Sequence, residues 1–374
     1  MYTKRKWLLG AFAIAAIVAQ ATLIPAAMAA NDFPIGLIMP IKTVLGKQSV
    51  QAAEIAVDMV NKNGGVLGGR KIKLVVYDDN YSPAEGAAAA QRLIDQDKVK
   101  FMGGNYSSTV ALAIIPIAQS ENALYMASMP KATGVAETGY QAAFQLNTTA
   151  VEDGAALEKI FKEAAPKTVA YIGENTDFGR QFADSVKTLT DATGGKIVFN
   201  DFYDTKQSDF NSIVTRAKGS GADTLVTMGG VVEQYANVVR TAADIGFKPR
   251  NVIIGPGAMN NNVLKLAGKA AEGALSVDIY LPSYDNALNK SFVAAYKAKY
   301  GTEPEKTEEL SFETVWLIAS AINKAGTDDV PTVAKTLLDN SWETPRGTIR
   351  FGKNGRVEAS ASIVTIKGGK ILPK

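Results

Sequence analysis

Ser107, Ser108 and Thr109 are consecutive hydroxyl residues that follow Gly103-Gly104-Asn105-Tyr106 and open a helical pattern. The first backbone N–H groups of a helix lack intrahelical partners and the helix dipole is positive there, so such a place attracts an anion. Hydroxyls add donors, and a carboxylate is the natural guest. The competing use of Ser107 is to cap its own helix, worth about 1 kcal/mol. Met129-Pro130-Lys131-Ala132-Thr133 is a second polar turn after an apolar run, so its donors can face those of Ser107 across neighbouring strand ends. Lys42 and Lys131 can add positive potential at the mouth of such a cleft.

Much other chemistry is excluded. The chain has no histidine and no cysteine, which removes disulfides, thiolate metal sites, imidazole acid–base catalysis and His-activated nucleophiles. Gly64-Gly65-Val66-Leu67-Gly68-Gly69 lacks the lysine of a phosphate-binding loop and leads into a strand, so it reads as a turn. Gly219-Ser220-Gly221 lies between a helix and a strand, where glycine ends the helix, and is not a nucleophile elbow. Lys42, Lys131, Glu174 and Asp177 read as solvated or ligand-pairing charges rather than catalytic pairs, which makes an enzyme the weakest reading. No cofactor motif is present, and none is expected.

The elements that must position these turns alternate. Residues 35–39 form a β-rich run, Val50, Ala53, Val57 and Val60 recur at helical spacing, and Ile72, Leu74 and Val76 alternate as a strand. The alternation resumes at 169–172, followed by Phe178, Phe182, Val186 and Leu189 on one helical face and Phe210, Ile213, Val214 and Ala217 on the next. This pattern predicts an α/β fold of two doubly wound lobes with parallel sheets. Later, Phe292, Ala295 and Tyr296, then Phe312, Val315, Trp316, Ala319 and Ile322, form long amphipathic helices before two short strands near Thr348 and Ile363. A length of 374 residues with 47% hydrophobic and 21% charged content suits two lobes. Ligands of open parallel sheets gather beyond the strands' carboxyl ends. Glycine exits stand there at Gly103-Gly104, Gly173, Gly229-Gly230 and Gly255-Pro256-Gly257.

Lys4, Arg5 and Lys6 precede the apolar run 7–19, and Ala27-Met28-Ala29 supplies small residues where a signal peptidase reads. Residues 1–29 therefore read as a cleaved secretory signal peptide, with an uncleaved membrane anchor as the alternative. Removing the leader's three basic residues from the 40 in the chain leaves 37 against 37 acidic, a neutral mature protein with no warrant for a nucleic acid or membrane partner. A soluble periplasmic protein is expected.

Taken together these residues resemble the periplasmic leucine/isoleucine/valine-binding family of ABC transporter receptors. The match runs through Ala52-Ala53-Glu54-Ile55-Ala56, residues 61–69 before Asp78-Asp79, residues 104–108, Ala132-Thr133, Phe178-Gly179, Asp209-Phe210 and Ala271-Glu272-Gly273. The resemblance implies a type I periplasmic binding protein fold. Its lobes would be 30–146 plus 280–358 and 147–279 plus 359–374, joined by three crossing segments near 145–147, 277–281 and 359–363. It implies a monomer that closes on a small-molecule ligand and delivers it to ABC permease subunits.

The resemblance also implies that Ser107, Thr133 and nearby backbone N–H groups of Tyr106 and Ala132 hold a ligand carboxylate. The second lobe would contribute around Phe178, Val231 and Gly257. Members that bind amino acids present an aromatic residue near Leu45, an aromatic or polar one near Val231 and an acid near Gly257, and this chain departs at each. Their lobe 1 disulfide is missing too, with Asn80 and Tyr106 near the expected cysteines. Without an acid at Gly257, an α-ammonium has no partner, and an unpaired buried charge is heavily penalised. Leu45, Phe178 and Val231 would then wall an aromatic or aliphatic acid without an α-amino group. The alternative is an apolar amino acid whose ammonium is met by Glu174, Asp177, Glu233 or Asp204. An exported sensor module would use the same fold and cleft.

Overall fold

The computed structural model describes residues 32–358 and 361–374, so the expected leader lies outside the described residues. Strands β1 (Phe33–Met39), β2 (Ile72–Asp78), β3 (Phe101–Gly104), β4 (Leu124–Ala127) and β5 (Ala143–Gln145) form a parallel five-stranded sheet in the order β2-β1-β3-β4-β5. Helices α1 (Val44–Lys62), α2 (Pro83–Asp95) and α3 (Ser108–Ser120) connect its first four strands. Side chains of β1 alternate between the two faces, as a strand's period of two requires. Leu37 joins one core with Phe101 and Leu124, while Ile38 joins the opposite core with Val110 and Ile114 of α3.

The second lobe is built alike. Its helices are α4 (Ala150–Ala164), α5 (Asp177–Ala192), α6 (Asn211–Gly219), α7 (Val232–Asp244) and α8 (Asn261–Ala267). Strands β6 (Thr168–Glu174), β7 (Lys196–Tyr203), β8 (Thr224–Met228), β9 (Asn251–Ile254) and β10 (Leu275–Asp278) run parallel. Tyr171 packs with Phe182 and Val186 on one face, and Ile172 with Phe210 and Ile213 on the other.

The chain then returns to the first lobe. Helices α9 (Ala287–Tyr300), α10 (Lys306–Ala325) and α11 (Val330–Asp339) put Phe292, Phe312, Val315, Ile322 and Val333 into the core that holds Leu37. Strands β11 (Ser341–Thr344), β12 (Gly347–Phe351) and β13 (Val357–Glu358) make a small antiparallel sheet. Finally β14 (Ser362–Lys367) and β15 (Lys370–Pro373) add antiparallel strands to β10, completing seven. The two short strands expected late in the chain are thus β12 and β14, which belong to different sheets. The chain crosses between lobes after β5, after β10 and after β13, and residues 359–360 of the last crossing lie outside the described residues.

Candidate functional site

The carboxyl ends of both parallel sheets converge on one cavity. The first lobe lines it with Tyr106 and Ser108 after β3, Met129 and Lys131 after β4, Asn147 after β5, Leu45 of α1 and Lys306 of α10. The second lobe lines it with Glu174 at the end of β6, Phe178 at the start of α5, Gly229 and Gly230 after β8, and Gly257 and Asn260 after β9. The strand ends supply the cavity because loops leaving parallel strands are free of ladder pairing and face the partner lobe.

The turn before α3 is fixed from beneath. Asn105 has a left-handed backbone, φ +56°, its Nδ2 donates to the Ser107 carbonyl at 2.8 Å, and its Oδ1 accepts from Tyr125 at 2.7 Å. Ser107 is the residue before the helix, yet its hydroxyl makes no cap bond and pairs with Thr109 Oγ1 at 2.8 Å. Ser108 Oγ instead accepts from the backbone N–H of Lys131 at 3.2 Å and of Ala132 at 3.1 Å. Ser108 therefore ties the two polar turns together and also lines the cavity.

Lys131 is buried beside Asp153, with which it forms an ion pair, and its ammonium also donates to Thr148 at 3.2 Å. The ammonium lies 5.8 Å from the ring centroid of Phe178, which stacks on Phe182 at 5.8 Å. On the opposite wall Glu174 is 3% exposed. It accepts from the Gly230 backbone at 2.6 Å, from Thr176 at 2.9 Å and from Tyr81 of the first lobe at 3.2 Å. Burial raises its carboxyl above the ordinary range despite these donors.

Gly257 adopts φ +67°, a left-handed conformation that favours glycine. A Cβ there would stand 2.0 Å from Lys306 Nζ, so a lysine head fills the space in which a side chain at 257 would begin. Lys306 is 9% exposed and its ammonium has no hydrogen bond or ion pair among the described residues. Burial, and next the positive charge of Lys131, lower its pKa to about 8.

The cavity brings together Leu45, Tyr106, Lys131, Phe178 and Gly257 of the residues singled out from sequence. The others stand elsewhere. Ser107 is turned to Thr109. Ala132 supports Ser108 through its backbone N–H. Thr133 lines an outer groove with Gly154, Gln181 and Asp184, its N–H donating to Gln181 at 3.3 Å. Val231 precedes α7 just beyond the lining residues Gly229 and Gly230. Lys42 is 72% exposed and pairs with Asp78 at 3.3 Å, leaving its charge to solvent rather than to the cavity. Ser108, one of the three hydroxyl residues that open the helix, lines the cavity where Ser107 was expected, and Asn147, Tyr235, Asn260 and Lys306 line it without having been singled out. Only Ser108 carried a local signal, as the first residue of the helix.

The lobes touch beyond the cavity. Asn261 N–H donates to Glu305 at 2.6 Å and Asn262 Nδ2 to Gln48 at 3.2 Å, so the arrangement is a closed one.

Residues 34–370 match the family model described as periplasmic binding protein. The Leu/Ile/Val-binding protein homolog 3 of Brucella melitensis is 30% identical over 371 residues, covering 96% of this chain and 98% of that one. Among solved structures, a leucine-binding protein from Thermotoga maritima superposes with a TM-score of 0.83 at 25% identity, covering 91% of this chain and 97% of that one. A solute-binding protein of an ABC transporter from R. palustris, in complex with benzoate, gives a TM-score of 0.83 at 20% identity, covering 91% and 95%. With its parallel sheets meeting at one interlobe cavity and this family match over nearly the whole described chain, the protein belongs to the branched-chain amino acid type of ABC transporter solute-binding proteins, which are binding receptors and not enzymes.

Proposed function

We propose that this receptor serves uptake in the periplasm and closes on a small carboxylate, aromatic or aliphatic, that lacks an α-amino group. The observation that carries the reading is the pair Gly257 and Lys306. No carboxylate can extend from Gly257, and an unpaired ammonium stands where one would begin. A ligand ammonium next to that lysine would meet a like charge in a place that water cannot screen. Leu45, Phe178 and Met228 supply apolar wall for the remainder of the ligand. The fold leaves the choice open, since its relatives include a leucine binder and a benzoate binder.

Ser108, with the first N–H groups of α3, is the proposed seat of the carboxylate, in place of Ser107 and Thr133. The proposed lobes are 30–146 plus 280–358 and 147–279 plus 359–374. The protein acts as a monomer, exported by cleavage of residues 1–29, and delivers its ligand to ABC permease subunits. Mass measurement of the periplasmic form reads the cleavage directly, and an intact amino terminus refutes it.

The cavity-lining Glu174 favours one second reading, an apolar amino acid whose ammonium meets that carboxylate. Paired calorimetric titration separates the two. Leucine and phenylalanine are compared with 4-methylpentanoate, 3-phenylpropanoate and benzoate. Binding of the acids without the amino acids is expected. Tight binding of the amino acids with none of the acids would overturn the proposal.

A further inference from the structure

Most polar groups of the cavity already have partners. Lys131 gives two of its three N–H groups to Asp153 and Thr148. Asn147 donates to the Met129 carbonyl at 2.9 Å and accepts from Thr148 N–H at 3.0 Å. Asn260 Oδ1 caps α8 by accepting from Asn262 and Val263, and its Nδ2 donates to Tyr235 at 3.3 Å. Ser49 donates to the Leu45 carbonyl at 2.8 Å, so the Tyr106 hydroxyl 3.4 Å away is the donor in that pair. Glu174 already holds three donors.

What remains is predominantly donor. Ser108 Oγ accepts two backbone N–H groups, which uses both lone pairs and leaves its hydrogen to give. Tyr235 accepts from Asn260 and likewise keeps its own hydrogen. Lys306 keeps three N–H groups, in a side chain that is more than nine-tenths buried. At least these five hydrogens come from both lobes, Ser108 and Lys306 from the first and Tyr235 from the second. A carboxylate offers about four acceptor positions, fewer than the donors around it.

We propose that the ligand carries a second acceptor oxygen beside its carboxylate, as a 2-oxo acid does, and that Lys306 is the residue that selects it. In such a ligand the oxo oxygen takes the position an amino acid gives to its ammonium, and the ammonium of Lys306 donates to it. The inference rests on the amine-free carboxylate reading and narrows it.

The test titrates the mature protein with 4-methyl-2-oxopentanoate, 4-methylpentanoate and leucine, and with the matching phenyl series of 2-oxo-3-phenylpropanoate, 3-phenylpropanoate and phenylalanine. The oxo acid of at least one series is expected to bind at least about tenfold more tightly than its oxygen-free counterpart, the worth of one charge-assisted hydrogen bond. Lys306→Met should bring the two to parity and Lys306→Arg should keep the preference, with the unliganded unfolding midpoint reporting that each variant is folded. Equal affinity of oxo and plain acids for the unmodified protein, or a preference that survives Lys306→Met, overturns this inference and leaves the carboxylate reading standing. Binding of the amino acids with failure of all four acids overturns both.

Discussion

Tyr81 and Glu174, 93 positions apart, meet between the lobes, the phenol donating to the carboxylate at 3.2 Å. Tyr81 is held for this contact by an unusual turn. It follows Asn80 at φ +47° with its own φ at +57°, and the side chains of Asp78 and Asp79 accept from the backbone N–H groups of Asn80 and Tyr81. Two consecutive left-handed residues other than glycine are costly, and the two aspartates offset that cost. The hydroxyl fits because residue 230 is glycine, since a Cβ there would lie 2.0 Å from it.

Tyr81→Phe should therefore loosen the closed state and weaken ligand affinity by about tenfold, the loss of one hydrogen bond to a charged group. Gly230→Ala should do the same by displacing the phenol, and Tyr81→Ala should relieve that clash in the double variant. Calorimetry gives the affinities, and small-angle scattering should show less ligand-dependent compaction for both single variants. Unchanged affinity in Tyr81→Phe would leave the contact without a role in closure.

Ser108→Ala should weaken carboxylate binding by at least about tenfold, because it removes the hydroxyl that faces the cavity and frees the 131–132 backbone N–H groups it holds. Ser107→Ala should change affinity little, since that hydroxyl is occupied by Thr109. The reverse ranking in a paired titration would return the carboxylate to Ser107.

Anion binding should depend on alkaline pH through Lys306. Its pKa in the unliganded cavity is lowered to about 8 by burial and by Lys131, while Asp278, Asp153 and Glu309 act in the opposite direction. A bound anion stabilises the ammonium, so affinity is full below about pH 8 and declines as the pH rises above it. Lys306→Arg should abolish the decline, because a guanidinium stays charged. A flat affinity between pH 7 and 9 in the unmodified protein, about one unit either side of that value, would contradict this.

Fold stability should have its own pH dependence. Burial raises Glu308 at the start of α10 to about 7 from an ordinary 4.5. A raised carboxyl contributes stability that is full below its unfolded value and is lost as the pH rises through about 7. The thermal midpoint of the unliganded protein should fall across that window. Glu308→Gln should flatten the fall while keeping the acceptor that receives the Glu305 N–H at 3.2 Å.

Asp153→Asn should leave the buried Lys131 ammonium without its counter-ion, at a cost of about 3–5 kcal/mol in chemical denaturation. Lys131→Met combined with Asp153→Asn should recover much of that loss by removing the stranded charge. Loss of less than about 1 kcal/mol in the single variant would mean that solvent reaches the pair.

Local spacing determined a large part of this molecule. The period of two in Ile72, Leu74 and Val76 of β2 and the helical recurrence of Phe178, Phe182, Val186 and Leu189 are written in neighbouring residues, and each puts its apolar face into the expected core. The glycine exits after β8 and β9 were likewise legible and line the cavity through Gly229, Gly230 and Gly257, whereas Gly103, Gly104 and Gly173 are strand residues outside its lining. Which hydroxyl of Ser107-Ser108-Thr109 faces that cavity was not legible, since consecutive helical residues point about 100° apart and only the docked position of α3 selects one. Lys42 and Lys131 look alike as lysines in polar turns, but one is bathed in solvent and the other is locked against Asp153 by the packing of α4. Lys306 gave no sign at all. Its meaning comes from Gly257, a residue of the other lobe, whose missing side chain leaves the space that the lysine head enters. A residue's own face is set by bonds within its turn or strand, whereas a partner tens of positions away is chosen by how two independently formed sheets close on each other.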